Sequence, residues 1–131
     1  MRLYLDSSAL VKLVQQEVES AALRRFLRRH RGVGRVTCTL ARVEVVRALA
    51  GGPTAVAHAR RQLARLDQVN LDRELLDLAA TLALGSALRS LDAIHIAAAQ
   101  SLGADLGAIV TYDRRLRAAA GDMGILVEAP G

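Results

Sequence analysis

The sequence predicts an α/β fold, a three-layer α/β/α sandwich with a mostly parallel central sheet, and three observations lead there. Short runs suited to strands, at residues 3–5, 35–39, 68–71, 108–111 and 125–127, alternate with segments whose apolar residues recur at helical spacing. Gly32-Val33-Gly34, Gly51-Gly52-Pro53 and Gly85-Ser86 punctuate the alternation. Strands that alternate with helices pair in parallel and are covered on both faces. A chain of 131 residues suits one domain, residues 1–131, burying roughly two-thirds of its unfolded surface.

The first strand and its exit turn, Leu3-Tyr4-Leu5-Asp6-Ser7-Ser8-Ala9-Leu10, organise the rest. Three apolar residues run into an acid, so Asp6 falls at the carboxyl end of a strand, the edge where open α/β sheets bind ligands. Ser7 or Ser8 is expected to cap the helix carrying Ala9, Leu10, Val11, Leu13 and Val14; Asp6 as the capping residue is the plainer alternative. Residues 17–31 form a second helical pattern, with Val18, Ala21, Ala22, Phe26 and Leu27 on the apolar side and Arg24, Arg25, Arg28, Arg29 and Arg31 opposite. No acid occurs from Ser20 to Val43, so this is the most basic surface, either solvated or a holder of nucleic acid.

After the strand at 35–39, a helix over 40–50 carries Glu44 between Leu40 and Ala48 at i−4 and i+4. A charge on an apolar stripe needs a partner or a metal. A helix over 54–66 turns Arg60, Arg61 and Arg65 outward, the third strand follows, and Asp72 or a neighbour starts a helix over 73–84. The longest apolar stretch, 75–88, contains Asp77 and Gly85 and reads as a buried helix rather than a membrane span. Ser90 is expected to cap the helix over 91–102, which is apolar nearly all round and hence central. Asp92 lies in its first turn, where free amides favour a carboxylate, and His95 one turn on reads as packed or hydrogen-bonded. The strand at 108–111 ends at Tyr112-Asp113, before a short basic helix over 114–120 and a last strand at 125–127.

Aromatic residues supply only 2% of the chain against 52% hydrophobic, so Leu, Val, Ile and Ala must fill the core. The net charge of +5 suits a polyanionic partner. A single cysteine, Cys38, excludes an internal disulfide and a cysteine-based zinc site and fits a reducing cytoplasm. The apolar run at the amino terminus breaks at Asp6, too short for a signal peptide.

In a parallel sheet Asp6 and Asp113 leave strands at one edge, while Asp92 and Glu44 lie near helix starts, so all four can converge there. Crowded carboxylates raise one another's pKa unless a cation neutralises them, and Mg2+ or Mn2+ suits an oxygen-only donor set. An acidic pocket on a basic protein suits phosphodiester chemistry. Rival chemistries lack their residues. A P-loop needs a Gly-rich turn ending in Lys, and the only lysine, Lys12, lies in a helix. A phosphoaspartate enzyme of the haloacid-dehalogenase kind wants an Asp where Ser8 stands.

Leu5-Asp6-Ser7-Ser8-Ala9-Leu10-Val11-Lys12, the helical Glu44, Leu91-Asp92-Ala93-Ile94-His95-Ile96-Ala97-Ala98-Ala99 and Val110-Thr111-Tyr112-Asp113-Arg114-Arg115-Leu116 resemble the PIN-domain ribonucleases, and within them the VapC-type toxins of toxin-antitoxin pairs. The likeness covers almost the whole chain, least clearly over 51–70. It implies a PIN-like sandwich and a metal-binding catalytic quartet of Asp6, Glu44, Asp92 and Asp113, supported by the hydroxyls of Ser8 and Thr111. It further implies a magnesium-dependent cut of structured RNA leaving a 5′-phosphate, a homodimer, and silencing by a cognate VapB-like antitoxin. A PIN fold that docks RNA or antitoxin without cutting would be expected to lack one of the acids, and none is missing.

Overall fold

The computed structural model describes residues 1–49 and 51–131, and among them five strands form one sheet. The elements run β1 (Arg2–Leu5), α1 (Ser7–Val14), α2 (Ser20–Arg29), β2 (Gly34–Cys38), α3 (Ala41–Ala48), α4 (Pro53–Ala64), β3 (Asp67–Val69), α5 (Arg73–Thr81), α6 (Ser90–Gln100), β4 (Leu106–Val110), α7 (Arg114–Asp122) and β5 (Val127–Glu128). The sheet order is β3-β2-β1-β4-β5 and every pairing is parallel, so the sheet expected to be mostly parallel is wholly so.

Strand periodicity divides the core. Side chains alternate across a strand, so Leu3 and Leu5 of β1 with Ala108 and Val110 of β4 enter one core, closed by Leu10, Leu23, Leu27, Val45 and Leu63 from α1 to α4. Tyr4 and Ile109 point the other way, with Val36 and Cys38 of β2, into a core closed by Leu75, Ile96 and Leu116 from α5 to α7. Three layers result, as the alternation of elements implied. Between β1 and β4 the chain's progression across the sheet reverses, which opens a crevice at their carboxyl ends. Leu5 stands beside Val110, and the amide of Asp6 donates to the Val110 carbonyl at 3.2 Å, so Asp6 and the segment after Val110 share that crevice.

Several local expectations give way. Asp6 itself is the N-cap of α1, accepting from the Ala9 amide at 3.0 Å, because Ser7 and Ser8 are drawn to carboxylates instead. Ser90 lies within α6, whose cap position is Arg89 and carries no side-chain cap bond. Val18 is 95% exposed, since α2 starts only at Ser20 and buries Leu23, Phe26 and Leu27. The stretch 75–88 is not one buried helix: α5 ends at Thr81, Leu76, Leu78 and Leu84 are exposed, and Ala83 and Gly85 take positive φ that a helix cannot continue through. Asp72 caps α5 as expected, accepting from the Leu75 amide at 2.9 Å. The helix expected over 40–50 is described from Ala41 to Ala48, and its expected last residue, Ala50, lies outside the described residues.

Candidate active site

Asp6, Glu44, Asp92 and Asp113 line one pocket of about 480 Å³ at the crevice, with Ser7, Ser8, Arg89 and His95 among them. Four elements deliver them: Asp6 leaves β1, Glu44 lies on α3, Asp92 in the first turn of α6, and Asp113 at the cap of α7. A larger groove of about 650 Å³ beside α5 and α6 is lined by apolar residues such as Leu75, Leu78 and Leu82 and by polar ones, with two acids, Glu74 and Asp72, of which Asp72 is occupied as a cap. Among the described residues, it is the first pocket that gathers several titratable groups whose partners come from distant parts of the chain.

Asp6 is 3% exposed, and its carboxylate accepts from Ser8 Oγ at 2.7 Å, from Thr111 Oγ1 and from the Ala9 amide. Burial raises its pKa from the usual carboxylate value, against the opposing pull of the His95 charge and these hydrogen bonds. The two hydroxyls also brace the β4 exit: Ser8 Oγ accepts from the Tyr112 amide at 2.9 Å and Thr111 Oγ1 from the Asp113 amide at 3.1 Å. One hydrogen-bonded unit thus ties the ends of β1 and β4.

Glu44 is held by a second network. Its Oε1 accepts from Ser7 Oγ at 2.6 Å and from His95 Nε2 at 2.7 Å. Behind it His95 is buried, with Tyr4 Oη 2.7 Å from Nδ1 and the Cys38 sulfur 3.8 Å from the same nitrogen. Burial works against an imidazolium, but Cys38, Glu44 and, farther off, Asp6 outweigh it and push His95 up to about 10. Burial also disfavours the Glu44 charge, yet its bonds to His95 and Ser7 leave its pKa lowered.

The other two acids share a guanidinium. Arg89 donates from Nε to Asp92 Oδ2 and from a terminal nitrogen to Asp113 Oδ2, both at 3.2 Å. Asp92 is 5% exposed, and Asp113 uses Oδ1 to accept from the amides of Arg115 and Leu116. Arg89, Tyr4 and the Glu44 contact of Ser7 escape a reading of the sequence, although the i,i+3 spacing of Arg89 and Asp92 at a helix start is a signal for the first.

The four carboxylates form an oxygen donor set suited to Mg2+ or Mn2+. Among the described residues no three His, Cys, Asp or Glu side chains are drawn tightly enough together to hold an ion as they stand. The hydrogen bonds say why: each acid is turned to its own donors, and Asp92 and Asp113 to a cation already present. The donor chemistry therefore fits a hard divalent ion, with Arg89 occupying part of the coordination it would need.

Comparison with known proteins places the chain. A family model described as PIN domain matches residues 3–122. The chain is 55% identical over 130 residues to Ribonuclease VapC46 of Mycobacterium tuberculosis, covering 98% of this chain and 97% of the relative. It is 45% identical over 132 residues to Ribonuclease VapC35 of the same organism, again covering 98% and 97%. Two solved structures share the fold: the sarcin-ricin loop cleaving toxin VapC20 of Mycobacterium tuberculosis (TM-score 0.76, 18% identity, covering 98% of this chain and 99% of that one), and VapBC2 of Rickettsia felis bound to a DNA fragment from its promoter (TM-score 0.77, 11% identity, 100% of both).

Proposed function

This chain belongs to the PIN-domain family and, within it, to the VapC ribonucleases, and from that premise we propose that it is a magnesium-dependent endoribonuclease that cuts structured RNA as the toxin of a VapBC pair. The observation that carries the reading is the convergence of Asp6, Glu44, Asp92 and Asp113 in one pocket at the β1/β4 crevice. Asp6, Asp92 and Asp113 are the proposed ligands, with Glu44 a ligand or the group that orients the attacking water. Held by these residues, a divalent ion would supply an activated water and neutralise charge on the phosphate.

The chain's own residues do the rest. Ser8 and Thr111 fix the Asp6 carboxylate in a single orientation, and the buried setting makes its charge dependent on a nearby cation. Ser7 and His95 hold Glu44 by one oxygen, leaving Oε2 to accept a proton from, or orient, a water. No 2′-hydroxyl takes part in this chemistry, so preference for RNA comes from the shape of the surface around the pocket. Elsewhere on the surface Arg25, Arg28 and Arg29 of α2 are exposed, with Arg31 just beyond, and they are the proposed holders of the RNA backbone. A VapB-like antitoxin partner, a homodimer and a cytoplasmic setting complete the proposal. Among the described residues no helix is long and apolar enough to cross a membrane.

The test is Asp6→Asn. Asn keeps the capping geometry of α1, so the variant is expected to fold with an unchanged circular dichroism spectrum and to lose magnesium-dependent RNA cleavage. Undiminished cleavage would remove Asp6 from the mechanism.

A further inference from the structure

The acids of the pocket differ in how replaceable their partners are. Asp6 and Glu44 are satisfied by hydroxyls, an amide and a buried histidine that belong to the packed interior. Among the described residues, the side chain that serves both Asp92 and Asp113 is Arg89, which is 56% exposed. Asp113 narrows the choice further. Its Oδ1 is committed to two amides at the start of α7, so Oδ2 is the oxygen left for a cation, and Arg89 holds it. Asp92 likewise presents Oδ2 to the same guanidinium. An ion coordinated by both carboxylates must take at least one oxygen that Arg89 now occupies.

Resting on the reading of the pocket as a metal site, we propose that Arg89 is an internal counter-ion that competes with the divalent metal for Asp92 and Asp113 and thereby sets the affinity of the site. In the ion-free protein the guanidinium separates two carboxylates that would otherwise repel across a partly buried space. When the ion binds, Arg89 leaves, and its exposure makes the departure cheap, because part-exposed ion pairs contribute little and water is at hand. Loss of the arginine therefore strengthens metal binding and weakens the ion-free fold, opposite to the effect of losing a ligand.

The experiment titrates Mn2+ into the full-length, metal-free protein by calorimetry, alongside thermal melts with and without saturating Mn2+. For Arg89→Gln the Mn2+ dissociation constant is expected to fall roughly three- to tenfold, with a lower melting temperature in the ion-free protein and a gap that closes at saturation. Arg89→Lys, which retains charge but cannot fork between two carboxylates, is expected between Gln and wild type, and it decides the matter if the Gln variant fails to fold. Unchanged or weaker binding in a folded Arg89 variant overturns the proposal. Asp92→Asn serves as the reference: loss of Mn2+ binding there with no gain at position 89 overturns the counter-ion role alone, whereas wild-type binding in Asp92→Asn overturns the metal reading itself.

Discussion

Asp6 and Asp72 are one local structure placed in two settings. Each caps a helix from extended backbone, at φ −80 and ψ 179 for Asp6 and φ −82 and ψ 174 for Asp72, and each accepts from the amide three residues on. Asp72 is exposed and, among the described residues, its side chain makes that bond alone, whereas Asp6 is buried and takes two hydroxyls besides. Capping therefore explains why an Asp stands at either position and leaves the surplus at Asp6 unexplained. A helix start does not need three donors on a buried carboxylate whose burial raises its pKa. The cation site proposed above would give such a carboxylate a purpose.

The comparison breaks most sharply on a paired substitution. Asp6→Asn should abolish cleavage and Asp72→Asn should leave it at the wild-type rate, both in folded protein; equal activity of the two in an RNA cleavage assay would reduce Asp6 to a cap.

A smaller effect is expected at His95, which hydrogen-bonds Glu44 and acts on Asp6 through its charge. His95→Gln should lower kcat roughly tenfold or more while moving KM less, and a steady-state analysis separates the two. The same residue predicts a pH dependence. His95 holds its proton to about 10 in the native protein against an ordinary value of 6.5, so its stabilisation is complete below 6.5 and is lost as pH rises through about 10. Denaturant unfolding of the metal-free protein should show stability declining over that interval, and His95→Gln should flatten the decline.

Weaker still is the change expected on α2. Replacing Arg25, Arg28 and Arg29 by Ala should weaken RNA binding and reduce its salt slope by about one for each phosphate left without its arginine, as read by fluorescence anisotropy across ionic strengths. The smallest effect belongs to Asp72→Ala, which should lower stability by about 1 kcal/mol without altering cleavage.

The strand-turn-helix around Asp6 is legible because its signals are local: an apolar run, then an acid, then helical spacing. The partners of Ser7 and Ser8 are not. Those hydroxyls bond Glu44, Asp6 and the Tyr112 amide, and contacts across 37 and 104 residues leave no trace in a window a few residues wide. Periodicity misleads at 75–88 for a related reason, since it records which residues are apolar and nothing of the positive φ at Ala83 and Gly85. His95 reads correctly as packed or hydrogen-bonded, while its specific bond to Glu44 becomes visible only once α3 and α6 are set side by side. Arg89 looks like a connection because its second carboxylate, Asp113, is far along the chain.

The pairing of β1 with β4 joins Leu3 to Ala108 and Leu5 to Val110. Asp6, Glu44 and Asp92 all precede β4 in the chain, and Asp113 follows it. The crevice that gathers the four acids therefore exists only when β4 is seated beside β1, and whatever loosens that one seam dismantles the pocket as a whole.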